Sequence, residues 1–271
     1  MITECRLWKD ILDKICIADW FGYELPMKER YFHIRNAGFD GVMLHWWHSK
    51  DASYLAKEQG LFIENMHAPF DDVNALWRAD QQGNDYAGLI VSCVDYCAFH
   101  EIPTLVLHLS SGDTPPPVSD IGLTRLAEII ERAELTGIYI ALENLRLPEY
   151  QRYAFDNIDS DHLKFCFDSG HQHCRTPRED YLAQYADQLI SLHLHDNDGP
   201  AYPYGCLDQH RLPFDGSINW HSLMKNLKDT GYKGPLSLEA TIFGHEEMAN
   251  DPQGFLALAF ERAERLQDIL T

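Results

Sequence analysis

The chain alternates short apolar segments with longer segments in which apolar residues recur at helical spacing. Eight short segments are rich in β-branched and aliphatic residues, as in Ile15-Cys16-Ile17-Ala18. Such runs are typical of buried strands, and the amphipathic stretches between them are typical of helices that cover a sheet. The predicted strands span residues 15–18, 41–45, 61–67, 104–108, 138–143, 163–168, 190–195 and 235–239, and the clearest helices span 29–37, 84–100, 120–136, 220–230 and 252–270.

Eight strands that alternate with helices predict a parallel α/β architecture. Eight such units close into a TIM (β/α)8 barrel. The 271 residues are enough for one barrel, so we expect a single domain over residues 1–271. An open doubly wound sheet is the alternative, but no glycine-rich dinucleotide turn follows the first predicted strand.

Histidines and acidic residues fall at the ends of six predicted strands. They are His67, His108, Glu143, Asp168, the pair His193 and His195, and Glu239. Active sites of β/α barrels lie at the carboxyl ends of the strands. Because side chains alternate between the faces of a strand, Ile140 and Leu142 should face the helices, while Ala141 and Glu143 face the barrel axis. We therefore expect these carboxylates and imidazoles to converge at one mouth of the barrel.

Three carboxylates gathered at one barrel mouth would repel one another unless a cation lay among them. Acidic oxygens mixed with imidazole nitrogens favour Zn²⁺ or Mn²⁺, whereas Mg²⁺ prefers sites made of oxygen alone. A further oxygen and nitrogen come from Asp208 and His210, which share a face and could bind one cation. The alternative, a polar mouth without a metal, leaves the repulsion uncompensated.

The charge balance argues against a nucleic-acid partner. Lys and Arg number 22 against 42 Asp and Glu, a formal net charge of -20, and DNA phosphates call for basic groups.

No apolar run reaches the roughly 18 residues of a membrane span, and the N-terminal residues lack a signal-peptide pattern. We expect a soluble cytoplasmic protein, with the oligomeric state left open, a homo-oligomer included. The seven scattered cysteines predict reduced thiols and no disulfide framework.

Loops at the same mouth carry aromatic and basic residues that suit a small polyol substrate. Trp46 and Arg211 are the residues that we assign to substrate binding. The wider aromatic set, any member of which is also explained by loop packing, is Trp20, Phe21, Trp47, Phe70, Trp77, Tyr150, Tyr153, Tyr202 and Tyr204. The wider basic set is Arg146, Arg152, Arg175 and Arg178, which either clamp a phosphate or carboxylate or form surface ion pairs.

Six motifs, in order along nearly the whole chain, resemble the xylose-isomerase-like barrels, a superfamily that includes sugar-phosphate isomerases and epimerases and also endonuclease IV. They are His67-Ala68-Pro69-Phe70, Ala141-Leu142-Glu143-Asn144, Phe167-Asp168-Ser169-Gly170-His171, His193-Leu194-His195-Asp196-Asn197, Asp208-Gln209-His210 and Leu238-Glu239-Ala240. Each motif is modest alone, and their order makes the resemblance specific to the superfamily. It does not fix the member.

By this resemblance one divalent metal is held by Glu143, Asp168, His193 and Glu239, and His171 reaches a substrate oxygen. His193 is preferred to His195 because it lies three residues before Asp196, as in the family's HxxD pattern. His195 then supports a ligand or contacts the substrate. Endonuclease IV adds further ligands and holds three zinc ions, and the corresponding positions here are His67, His108, His171, Asp208 and His210.

The resemblance implies a metal-dependent isomerase or epimerase of a sugar or sugar phosphate. A proton would be removed beside a carbonyl through a metal-stabilised enediolate, with Glu143 and Glu239 as ligands and acid/base groups. A hydride shift between neighbouring carbons is the mechanistic alternative. An endonuclease IV-like zinc phosphodiesterase, an AP endonuclease, is the second candidate, which acidic loops disfavour. A sugar-binding barrel without turnover is the third, and the complete ligand set disfavours it.

Overall fold

The computed structural model of the chain describes residues 11, 13–48, 50–200 and 205–270. Its eight strands are β1 Ile15–Ala18, β2 Gly41–His45, β3 Phe62–His67, β4 Thr104–Leu107, β5 Tyr139–Glu143, β6 Leu163–Asp168, β7 Leu189–His193 and β8 Leu236–Leu238. They pair in parallel in the order β7-β6-β5-β4-β3-β2-β1-β8. A parallel bridge between Leu194 and Leu238 joins the two ends of this sheet. The predicted TIM barrel is confirmed.

Helices separate the strands and cover the outside of the ring. Those described are α1 Met27–Ala37, α2 Ala52–Glu58, α3 Gln81–Phe99, α4 Asp120–Thr136, α5 Glu149–Asn157, α6 Ser169–Arg175, α7 Tyr181–Gln184, α8 Trp220–Asp229 and α9 Pro252–Leu270. Short helices α2, α5, α6 and α7 are absent from the prediction. Within the described ranges, no helix is both long and apolar enough to cross a membrane.

The period-two alternation places the two faces of the strands as expected. Ile140 and Leu142 belong to the large apolar core between the strands and the helices. Val106, Ala141 and Cys166 pack in a second, smaller cluster on the opposite face, inside the ring. Glu143 and Asp168 lie two residues after Ala141 and Cys166 and therefore share their face of the strand. Because they end β5 and β6, their side chains face the mouth of the barrel.

Glu64, in β3, is a buried acid inside the ring. Its carboxyl reaches across the interior and accepts hydrogen bonds from Ser191 on β7 at 2.8 Å and from Ser237 on β8 at 2.5 Å. Burial raises the pKa of Glu64, and the two serine hydrogen bonds, which act in the opposite direction, do not compensate. The carboxyl thus links three strands as a group whose charged form the interior disfavours.

We predict that Glu64→Gln makes the protein more stable than the parent at neutral pH. A carboxyl whose folded pKa is raised contributes stability that is fully present below its unfolded pKa, about 4.3, and that is lost as pH rises through the folded pKa. Each unit of pKa difference corresponds to about 1.4 kcal/mol. Urea unfolding of metal-free protein across this range measures the free energy of unfolding.

The matched control is Glu58→Gln, since Glu58 is an exposed acid on α2. Its free energy of unfolding should follow that of the parent at every pH. A Glu64→Gln advantage that stays constant between acidic and neutral pH would mean that Glu64 does not titrate differently in the folded state.

Candidate metal centre and active site

Glu143, the last residue of β5, lies at the centre of a group of imidazoles. Its Oε2 atom is 3.3 Å from Nε2 of His67, 3.1 Å from Nε2 of His108 and 3.2 Å from Nδ1 of His193. Its Oε1 atom is 3.0 Å from Nδ1 of His171. The carboxylate is 1% exposed, so these imidazoles replace the water that it would otherwise bind.

All of the predicted ligands except His171 fall into three sets whose donor atoms lie within 4.8 Å of one another, and the third set also includes His195. The sets are His67, His108 and Glu143; then Glu143, Asp168, His193 and Glu239; and finally His195, Asp208 and His210. The second is the four-residue ligand set that the sequence resemblance implies. Glu143 is shared by the first two sets, which places them side by side. Carboxylate oxygens mixed with imidazole nitrogens suit Zn²⁺ or Mn²⁺.

His193 provides the fit test for a cation in the four-residue set. It is completely buried, yet neither ring nitrogen has an aligned hydrogen-bond partner. Its Nδ1 atom lies 3.2 Å from a Glu143 oxygen and 3.3 Å from a Glu239 oxygen. A buried imidazole that lies beside two carboxylates without an aligned hydrogen bond is costly by itself and is suited to ligate a metal. The residues present therefore fit a divalent cation.

Electrostatics keep these carboxylates ionised. Burial alone would raise the pKa of Glu143 and of Glu239, but the neighbouring histidines, above all His193, hold both pKa values well below the usual range. For His171, burial opposes the charged form, yet Asp168 and Asp208 raise its pKa well above the ordinary value. Without a cation, the positive charge at this mouth is carried by imidazole protons, which a bound metal would displace.

Asp168 is held in place from both sides. Its Oδ1 atom accepts a hydrogen bond from the backbone N–H of His171 at 2.6 Å and so caps the start of α6. The Asn144 side chain accepts from the Asp168 N–H at 2.7 Å and donates to the Asp168 carbonyl at 2.8 Å. The Asp-Ser-Gly-His sequence thus fixes a carboxylate and an imidazole at one end of β6.

The third set depends on the loop after β7. The ring of His195 stacks on that of His210 at 3.9 Å, and Nε2 of His171 lies 2.9 Å from Asp208 Oδ2. A disulfide between Cys174 and Cys206 joins α6 to this loop. The prediction that all cysteines are reduced thiols is therefore wrong for this pair. The spacing of 32 residues carries no signal, because only the folded chain brings α6 against the loop.

Asp196 organises the loop and is not part of any donor set. It is fully buried, and its carboxylate accepts hydrogen bonds from the N–H groups of Phe214 and Ile218, both at 3.1 Å, and from the Trp220 indole at 2.7 Å. The acid that follows the strand thus positions the segment between β7 and α8. His193 and His195 are left to face the mouth.

A cavity of about 350 Å³ opens above these ligands. Its walls include Glu143, Glu239, His67, His108, His171, Asp208 and His210, together with Trp20, His45, Trp47, Phe70 and Thr241. Trp46 instead lines a neighbouring cavity and packs against Tyr96 at 5.8 Å. Arg211 pairs with Asp198 at 2.8 Å. Roles for Trp46 and Arg211 in substrate binding stay predictions, and Tyr202 and Tyr204 lie outside the described residues.

His45 is a cavity residue that the sequence reasoning missed. It ends β2, and its Nδ1 atom is 2.7 Å from Asp19, an acid that follows β1. His48 and Tyr31 also contact the Asp19 carboxylate, at 2.7 Å and 3.0 Å. Burial opposes the charge on Asp19, but hydrogen bonds from the two histidines lower its pKa to about 2. The sequence did contain a signal for His45, because this residue ends a predicted strand just as the other site histidines and acids do.

Three comparisons place the chain among known proteins. A family model described as "Xylose isomerase-like TIM barrel" matches residues 33–258. An uncharacterised protein, y4fM of Sinorhizobium fredii, is 27% identical over 285 aligned residues, covering 84% of this chain and 87% of that protein. A D-tagatose 3-epimerase-like protein superposes with a TM-score of 0.70 at 23% identity, over 93% and 98% of the two chains. The D-psicose 3-epimerase of Clostridium cellulolyticum, solved with D-tagatose, gives 0.74 at 15% identity, over 95% and 99%.

The fold and the donor sets define a parallel (β/α)8 barrel with a polar mouth that fits divalent cations. Within that class, the chain belongs to the xylose isomerase-like TIM barrel family. The resemblance inferred from the six motifs is thereby confirmed. The two solved structures share less than a quarter of their residues with this chain, so their likeness concerns the fold.

We predict that Glu143→Gln weakens zinc binding by more than about 100-fold, because partners outside a coordination sphere are already worth 10- to 100-fold. Glu143 belongs to the first two of the three sets named above, whereas His67 belongs only to the first. His67→Ala should therefore leave the four-residue set with an affinity within about 10-fold of the parent. Zinc titration against a chelating dye measures both constants.

The control is His221→Ala, which removes an exposed histidine on α8 and should bind zinc as the parent does. Circular dichroism verifies that each variant is folded. Unchanged zinc affinity in folded Glu143→Gln would mean that no cation is bound at the end of β5.

Proposed function

We propose that the protein is a divalent-metal-dependent sugar isomerase or epimerase that removes a proton next to a carbonyl. The observation that carries the proposal is the position of Glu143 and Glu239, two ionised carboxylates that both line the cavity above the ligand sets. By the proton-transfer route, isomerisation and epimerisation of ketoses both need a base, and then an acid, at a carbon beside a carbonyl.

Glu239 is the better placed of the two for proton transfer. Its side chain is 13% exposed, while that of Glu143 is 1% exposed and is surrounded by four imidazoles. Glu143 ends β5 and Glu239 follows β8, so they approach a molecule in the cavity from different parts of the ring. One can take the proton and the other can return it. A divalent cation held by the four-residue set would supply Lewis-acid polarisation of the carbonyl.

The cavity walls suit a sugar. Trp47 and Phe70 give flat apolar surface, on which the apolar face of a sugar ring can pack. His45 and Thr241 give neutral polar groups for hydroxyls. The two solved structures that superpose on the chain are named for ketose 3-epimerases, and one of them was solved with D-tagatose. These names support a small ketose as the substrate class.

We predict that Glu239→Gln lowers sugar turnover by about 10²- to 10⁴-fold, the usual worth of a general acid or base. The amide keeps the size of the side chain but removes its charge and its proton acceptor. Turnover of a panel of ketoses by metal-loaded protein is followed by chromatography. Glu264→Gln, at an exposed acid on α9, is the control and should be fully active.

The same reaction run in deuterated water tests the mechanism. Proton abstraction exchanges the carbon-bound hydrogen with solvent, so deuterium should enter the product beside its carbonyl. A hydride shift would leave the product unlabelled. Full activity of Glu239→Gln would remove the carboxylate from the chemistry.

A zinc phosphodiesterase is the second candidate, favoured by the fact that the first and third donor sets are also assembled. Such an enzyme would use several zinc ions to activate water and stabilise the leaving oxygen. The net charge of -20 argues against a duplex substrate.

Metal content separates the two candidates. We predict about one equivalent of tightly bound metal per chain after purification without chelator, because a single four-ligand set serves the sugar chemistry. Elemental analysis by mass spectrometry gives the number. About three zinc ions per chain would favour the phosphodiesterase instead.

A further inference from the structure

A side cavity of about 130 Å³ adjoins the main cavity. The two share Phe70, His108, His171 and Asp208 as common walls. The remaining walls of the side cavity are Ser110, Ser111, Gly112, Leu145, Arg146 and Arg175. These come from the loops after β4 and β5 and from the end of α6, so the side cavity lies on one flank of the candidate metal centre.

Two arginines, Arg146 and Arg175, line this side cavity. Burial and the like charge of Arg175 lower the pKa of Arg146, while Asp208 raises it. Arg146 pairs with Asp113, an exposed acid. Arg175 makes no hydrogen bond or ion pair with any residue in the ranges that the structure describes. Two partly buried like charges that share a small cavity favour an anion between them.

A buried hydroxyl adds a neutral donor to the same wall. Ser110 is 3% exposed and lines the side cavity. Asp208 is the one acid on this wall, and its Oδ2 atom is engaged by His171 at 2.9 Å. Its charge is further offset by His210. The flank occupied by Arg175 is therefore the positive side of the cavity.

The other arginines that the sequence put forward are accounted for differently. Arg152 pairs with Glu179 at 3.0 Å, and Arg211 pairs with Asp198 at 2.8 Å. Arg178 is exposed and lines neither cavity. Only the folded chain singles out Arg146 and Arg175 among the five.

We propose that the side cavity binds an anionic substituent, a phosphate or a carboxylate, of the sugar whose carbonyl end occupies the main cavity. This inference rests on the proposed sugar isomerase or epimerase function and narrows its substrate class. A guanidinium presents two parallel N–H groups to such an anion, and Ser110 can donate a third hydrogen bond. A neutral sugar would leave Arg175 unpaired.

The test compares three substrates with metal-loaded protein: a free ketose, its terminal phosphate ester and the corresponding terminal carboxylate. The parent should prefer an anionic form, and Arg175→Ala should lose about 10- to 100-fold in kcat/KM on that form, mainly through KM. On the free ketose the loss should stay below about 2-fold. Arg175→Lys should recover part of the loss, and Arg178→Ala, the exposed neighbour, should match the parent. The form that suffers the loss identifies the anion as phosphate or carboxylate.

A binding measurement keeps this inference separate from the proposed function. Inorganic phosphate is titrated calorimetrically into metal-loaded parent, Arg175→Ala and Arg178→Ala, and only Arg175→Ala should bind it more weakly. That result without turnover of any sugar would support the anion site and overturn the proposed function. The anion site would be overturned if all three proteins bound phosphate equally and Arg175→Ala lost the same activity on charged and neutral sugars. If free ketose were still turned over, the proposed function would stand.

Discussion

The structure depends on how buried negative charge is compensated at one end of the barrel. Glu143 and Asp168 are almost completely buried, and Glu239 lies beside them. Carboxylates in a dry environment cannot be brought this close unless positive charge accompanies them. Imidazoles from neighbouring strands supply it, and Nδ1 of His193 lies 3.2 Å from Glu143 and 3.3 Å from Glu239. The arrangement is costly as a purely structural device, and binding of a cation would relieve it.

Much of the fold and of this acid cluster could be predicted because both follow from local rules. Strands β1, β2 and β6 coincide with the predicted bounds, since each is a short apolar run, and β2 and β6 end at a polar residue. The alternation of side chains then fixes which residues face the axis, and the barrel fixes where the strand ends meet. The short helices were missed for an equally local reason. Helix α6, for example, has only seven residues and is capped by the Asp168 side chain. It is too short to show the apolar periodicity from which helices are predicted.

The rest of the site depends on contacts between parts of the chain that no local rule connects. His45 matters because β1 and β2 are neighbours, which brings Asp19 within 2.7 Å of its ring. Trp46 and Trp47 are adjacent in sequence, yet only Trp47 faces the main cavity. Both follow the last residue of β2, where the period-two rule stops applying. The Cys174–Cys206 disulfide likewise needs α6 and the 205–210 loop to be packed together first.

The net charge of the protein and the charges around the cavity lead to different conclusions about ligands. For a small molecule, the charges around the cavity determine which ligand is favoured. A charge of -20 opposes an extended polyanion, which must lie against a broad surface. A phosphate or carboxylate group on a sugar meets only the side chains within a few ångströms, and salt screens charges beyond about 8 Å. At that range Arg146 and Arg175 line the side cavity, and neighbouring histidines offset the charge of the acids of the main cavity. An acidic protein could therefore select an anionic sugar even though its net charge opposes binding of an extended nucleic acid.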